Sequence, residues 1–152
     1  MKKFSFRLQR LLDLARSQEE LARSETAQSL GRLRMAEDAF KEARDSVREA
    51  KDDISHSLQG GSMAPGSAEF LYKWLANAES RQQELEERLI EEEKAYEKVR
   101  EIMIKRRREL LSLEKAQQRS WENWEEENRR EELNSLEEIA NFRHLAKRRS
   151  ES

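Results

Sequence analysis

The chain has no cysteine, one proline and two histidines in 152 residues. Without cysteine there is no disulfide and no thiolate metal site, a composition compatible with a reducing cytosol. With a single proline, at Pro65, long helices meet no other breaker of that kind. His56 and His144 are too far apart in sequence to predict a shared site, and no phosphate-cradling glycine loop or Ser-His-Asp set can be assembled. No apolar stretch approaches the ~20 residues that span a bilayer. The start, Met-Lys-Lys-Phe-Ser-Phe-Arg-Leu-Gln-Arg, carries charge without the apolar core of a secretory signal. The expectation is a soluble protein whose membrane association runs through partners, with no cofactor, no metal and no enzymatic activity of its own.

What the chain has in abundance is charge at helical spacing. Charged residues make up 41% against 36% hydrophobic, a mixture of long helices rather than of a globule. The net charge of −2 conceals densely mixed signs, as from Glu84 to Lys94, which read as solvated faces with i,i+4 pairs rather than as a nucleic-acid surface.

Two heptad tracks organise the sequence. The first runs through Leu8, Leu12, Ala15, Ala22, Leu33, Ala36, Phe40, Ala43, Val47, Ala50 and Ile54, with Thr26 and Ser29 at polar positions where pairing weakens or the register shifts. The second runs through Leu71, Leu75, Ala78, Leu85, Leu89, Tyr96, Val99, Met103, Leu110, Leu113 and Trp124, with Gln82, Glu92, Arg106 and Gln117 as its polar layers. Between them lies Gly-Gly-Ser-Met-Ala-Pro-Gly, in which Gly60 and Gly61 end one helix and Pro65 and Gly66 keep the gap non-helical. Ser67 is the expected N-cap of the second helix and Glu69 sits near its positive end.

The pattern predicts an all-α fold: two long helices forming an antiparallel coiled-coil hairpin, with the second helix longer and overhanging. The single hairpin, residues 1–152, comprises a helix over about 4–58, a turn over 59–66 and a helix over about 67–147. Folding back near residue 63 sets Leu8 opposite roughly residue 117 and Leu33 opposite roughly 92, and leaves everything beyond about 122 without an intramolecular partner. That overhang carries Leu133, Leu136, Ile139, Ala140, Phe142 and Leu145, an apolar stripe that points to a binding surface. Basic residues gather at both termini, whereas Glu122 to Glu138 form an acidic belt that disfavours nucleic acid. Trp121 and Trp124 read as packing residues closing the end of the hairpin.

Several segments outside the heptad filler carry a resemblance. Phe4-Ser5-Phe6-Arg7-Leu8-Gln9-Arg10-Leu11-Leu12-Asp13-Leu14 resembles the opening of the bacterial flagellar export protein FliJ family. Ser67-Ala68-Glu69-Phe70, Trp74 to Glu79, Leu113-Glu114-Lys115 and Leu136 to Arg143 continue it in order along almost the whole chain. The resemblance implies a two-helix stalk that enters the hexameric flagellar export ATPase and links it to the cytoplasmic domain of the export-gate protein FlhA, with export chaperones as further partners. It implies a monomer located in the cytoplasm, peripheral at the inner face of the cell membrane through those partners.

Carried over by position, the resemblance makes Phe4, Phe6, Arg7, Arg10, Ile139, Phe142, Arg143, Lys147 and Arg148 face the ATPase ring. The gate surface falls on Ala39, Ala43, Ser46, Ala50, Trp74 and Ala78, where other members carry larger side chains. Of these only Trp74 keeps an obvious anchor, and Ala43 and Ala50 also lie on the seam. Two other readings stay open: the equivalent stalk of a virulence type III secretion system, and a generic structural coiled coil that dimerises through its seam.

Overall fold

The computed structural model describes residues 2–61, 64 and 66–151. Two helices, α1 (Gln9–Gln59) and the longer α2 (Ser67–Glu151), make up the fold, with no strand among the described residues. They pack antiparallel as a coiled-coil hairpin. By compactness the chain divides into one unit of Met1–Glu19 with Arg106–Ser152 and a second of Glu20–Lys105.

Helix α1 starts later than the expected position near residue 4. The Gln9 N–H bonds the Phe6 carbonyl at 3.1 Å and the Leu12 N–H bonds the Leu8 carbonyl at 2.9 Å, so residues 2–8 precede the helix. The physical reason lies in Phe4-Ser5-Phe6: burial alternates half-buried, exposed, half-buried, a period of two that suits extended chain and not a helix. Leu8, expected on the seam, is 37% exposed.

At the other end of α1 the Gly60 N–H reaches the His56 carbonyl at 3.1 Å, and Gly61 follows with φ 73°. That left-handed conformation suits glycine and ends the helix. Ser67 is the first residue of α2 rather than its cap. The Phe70 N–H bonds the Gly66 carbonyl at 3.1 Å, which makes Gly66, at φ 93°, the capping position. The expected helix-breaking Pro65 lies outside the described residues. Helix α2 runs on to Glu151, past the expected end near 147.

Within the first unit, partner numbers fall as those of α1 rise. Phe4 meets Trp124 with ring centroids 6.0 Å apart, Gln117 Nε2 donates to Gln9 Oε1 at 3.0 Å, Arg16 Nε lies 4.0 Å from Glu114 Oε1, and Arg106 Nη1 donates to Gln18 Oε1 at 3.1 Å. Within the second unit the same order holds. Thr26 Oγ1 lies 3.3 Å from the Val99 carbonyl, and Arg32 Nε lies 3.7 Å from Glu92 Oε2. The expected facing of Leu8 with 117 and of Leu33 with 92 is therefore realised to within a residue or two.

Burial is one-sided. Leu12, Ala15, Ala22, Leu33, Ala36, Ala43, Val47, Ala50 and Ile54 of α1 are buried, whereas α2 buries no residue. Alanine dominates the α1 seam, so the larger seam residues of α2, such as Leu85, Leu89 and Tyr96, cover it fully while keeping their own outer edges in water. Small seam residues also bring the helices close. Thr26 spends most of its hydroxyl proton on the Ala22 carbonyl of its own helix, at 2.7 Å, yet still lies within hydrogen-bond reach of the α2 backbone at Val99. Thr26 and Ser29 are buried, so the seam passes through them without a shift of register.

Candidate functional site

In the first unit the hairpin closes through residues 2–8. Phe4 and Phe6 are half-buried, and Phe4 lies against Trp124, itself half-buried, at an interplanar angle of 58°. Trp124 thus closes the end of the hairpin, while Trp121 stays 40% exposed. Half-buried positions on α2 persist through Asn128, and from Arg129 to Glu151 every described residue is exposed. The overhang therefore begins about six residues later than expected, because the aromatic cap at Phe4 extends cover along α2.

The overhang remains a regular α-helix to Glu151. Its largest apolar residues, Leu133, Leu136, Ile139, Phe142 and Leu145, recur every three residues and are 51–75% exposed. On an α-helix a step of three falls about 60° short of a full turn, so the stripe winds about 240° around the axis from Leu133 to Leu145. No flat surface can cover such a stripe; a partner must approach from several sides.

The nine residues assigned to the ring fall into two clusters. Phe4, Phe6, Arg7 and Arg10 gather by Trp124, whereas Ile139, Phe142, Arg143, Lys147 and Arg148 lie farther out, roughly 22 Å along α2 from Trp124 to Ile139. Arg7, Arg10, Arg143, Lys147 and Arg148 are exposed and make no ion pair among the described residues.

A second surface lies in the second unit. Phe70 and Trp74, one helical turn apart, stack at 6.2 Å and are 63% and 57% exposed. Beside them an open groove of about 280 Å³ is lined by Ala43, Ser46, Trp74, Asn77, Ala78 and Arg81. Of the residues assigned to the gate, Ala43, Trp74 and Ala78 are thus brought together, with Ala43 buried and Ala78 half-buried beneath the rim. Ala39 lines a separate, smaller groove with Arg32, Met35, Ala36, Leu85 and Arg88, and Ala50 is buried in the seam. Phe70, Asn77 and Arg81 were not singled out from the sequence. The i,i+4 pairing of two aromatics at the start of a helix was the available signal.

His56 Nδ1 lies 3.1 Å from the Asp52 carbonyl, and both histidines are exposed. No group of three or more His, Asp or Glu is placed to hold a metal ion among the described residues, and no helix there is long and apolar enough to cross a membrane. The chain matches no family model, no curated protein and no solved structure.

Proposed function

We propose that this hairpin is a stalk of flagellar type III protein export, with its α2 overhang held inside a hexameric export ATPase and its Phe70–Trp74 surface turned to the cytoplasmic domain of the gate protein FlhA. Export chaperones are further partners. The observation that carries the reading is the winding apolar stripe from Leu133 to Leu145 on a bare helix. An encircling socket is the kind of partner that covers it, and the unpaired Arg143, Lys147 and Arg148 at its tip suit an electronegative one. The opening and closing segments that resemble the FliJ family support the same reading. The exposed aromatic pair beside a groove floored by alanines is the form of an interface anchor. ATP hydrolysis belongs to the ring; the stalk positions and couples.

The test is a pull-down with a flagellar export ATPase, scored for hexamer formation and ATP turnover. Stimulation is expected to fall steeply with salt, as the Debye length shrinks from ~10 Å at 0.1 M to ~3 Å at 1 M. Replacing Arg7, Arg10, Lys147 and Arg148 with Gln should flatten that dependence while leaving helicity unchanged. Stimulation insensitive to salt, or measurable ATP affinity of the isolated chain by calorimetry, would overturn the proposal.

A further inference from the structure

Helix α1 opens with a second apolar stripe beside the buried seam. Leu11 and Leu14 are 51% and 53% exposed, although their neighbours Leu12 and Ala15 are buried. Together with Ala15, Gln18, Ser112 and Leu113 they line an open groove of about 510 Å³ between α1 and α2 in the first unit. Arg108 borders it, and its one carboxylate, Glu109, accepts from Arg106 at 3.3 Å. Arg10, Arg108, Lys115 and Arg119 are exposed along this end of the hairpin, and none makes an ion pair among the described residues. The groove is apolar in its floor and uncompensated in positive charge around it.

Its complement lies on the same chain. The overhang presents Leu133, Leu136 and Ala140 flanked by Glu131, Glu132, Glu137 and Glu138. None of these carboxylates is in an ion pair; Glu132 alone has a polar contact, from Asn128 Nδ2 at 3.5 Å. Groove and overhang share one uninterrupted helix, so the overhang cannot turn back onto its own groove. It can reach the groove of another copy.

Heptad register shows how. On α2, Arg108, Lys115 and Leu136 are separated by multiples of seven, and so are Ser112, Arg119, Leu133 and Ala140. The overhang stripe therefore continues the same side of α2 that borders the groove.

We infer that two copies pair antiparallel about a two-fold axis near Trp124, each overhang lying in the other's groove. Leu136 of the second copy then lies opposite Ser112, and Leu133 of the second copy opposite Lys115, whose aliphatic stem can cover it. Glu131 and Glu132 of that copy fall level with Lys115 and Arg119, and its Glu137 and Glu138 level with Arg108 and Ser112. The contact is isologous, so both grooves and both overhangs are covered at once and the assembly closes as a dimer. Such a dimer departs from the monomer expected from the sequence. It also differs from a seam-mediated coiled coil, because the α1 seam stays intramolecular.

Sedimentation equilibrium of the full chain tests it. The mass should rise reversibly with concentration from 18.1 kDa to twice that value. Arg108→Glu with Lys115→Glu should raise the dimer dissociation constant by about tenfold or more, as should Glu131→Lys with Glu137→Lys. All four substitutions in one chain should return it to within about threefold of the parent, since the reversed charges face each other again. Circular dichroism on each variant confirms that the helices persist. A single-copy mass at every concentration up to the solubility limit, a dimer indifferent to either pair, or a fourfold variant no better than its parents would overturn the inference.

Discussion

The α1 seam and the α2 overhang are both helices patterned with apolar residues, yet one is buried and the other bare. The seam is built from small residues: Ala15, Ala22, Ala36, Ala43 and Ala50 are each 7% exposed or less. The overhang stripe is built from Leu, Ile and Phe and stays more than half exposed. Alanine lets two helices of one chain approach closely but offers little to a partner met from solution. Large side chains do the reverse: they hold off a tight intramolecular seam and provide the area that anchors an interface. Residue size separates the two kinds of helix here, where periodicity alone does not.

The sharpest way to break that comparison is to delete the same side chain on both sides of it. Leu12 is fully buried and Leu136 is 62% exposed. Leu12→Ala should destabilise the hairpin by about 2–5 kcal/mol, through lost transfer energy and the cavity left beneath α2. Leu136→Ala, measured by thermal melting at concentrations where the chain is a single copy, should stay within about 0.5 kcal/mol of the parent. Equal losses would mean that the overhang packs internally.

Next in size comes binding. Ile139 and Phe142 are 51% and 75% exposed and have no cover within the chain. Ile139→Ser and Phe142→Ser should leave helix content intact and weaken ATPase binding by ~2 kcal/mol or more each, the cost of truncating an interface anchor. A large fall in melting temperature with unchanged binding would reverse the assignment of this stripe.

These contrasts also show what could be read from the sequence. Helix number, antiparallel pairing and the seam were legible because a heptad constrains every third or fourth residue over fifty positions. Phe4-Ser5-Phe6 was absorbed into the first helix because three residues carry too little period to set against a long heptad. The aromatic contact with Trp124 shifted the start of the overhang, and a long-range contact of that kind leaves no local pattern. Gly66 took the capping role from Ser67 because the backbone needed positive φ there, which a preference for Ser at caps does not anticipate. Of the surfaces, the overhang was visible from arithmetic alone. The groove beside Leu11 and Leu14 was hidden, since a second stripe adjacent to a strong seam reads as part of it.

The smallest effect concerns the polar positions within the seam, and it separates two residues that look alike in sequence. Thr26 and Ser29 are both buried, at 7% and 0% exposure. The Thr26 hydroxyl donates to the Ala22 carbonyl at 2.7 Å and lies 3.3 Å from that of Val99, whereas the Ser29 hydroxyl has no hydrogen-bond partner among the described residues. Ser29→Ala removes a desolvated, unsatisfied group and puts a better helix former in its place, so it should stabilise the hairpin by about 1 kcal/mol. Thr26→Val keeps the shape and loses the hydroxyl contacts. Because a helix carbonyl such as that of Ala22 also has its own backbone N–H partner, the cost should be only about 0.5–1 kcal/mol. Opposite signs in chemical denaturation would show that the seam tolerates a polar residue only where its hydroxyl finds the neighbouring backbone. A destabilising Ser29→Ala would instead mean that the Ser29 hydroxyl is satisfied in solution, and that both positions are register-setting polar layers of one kind.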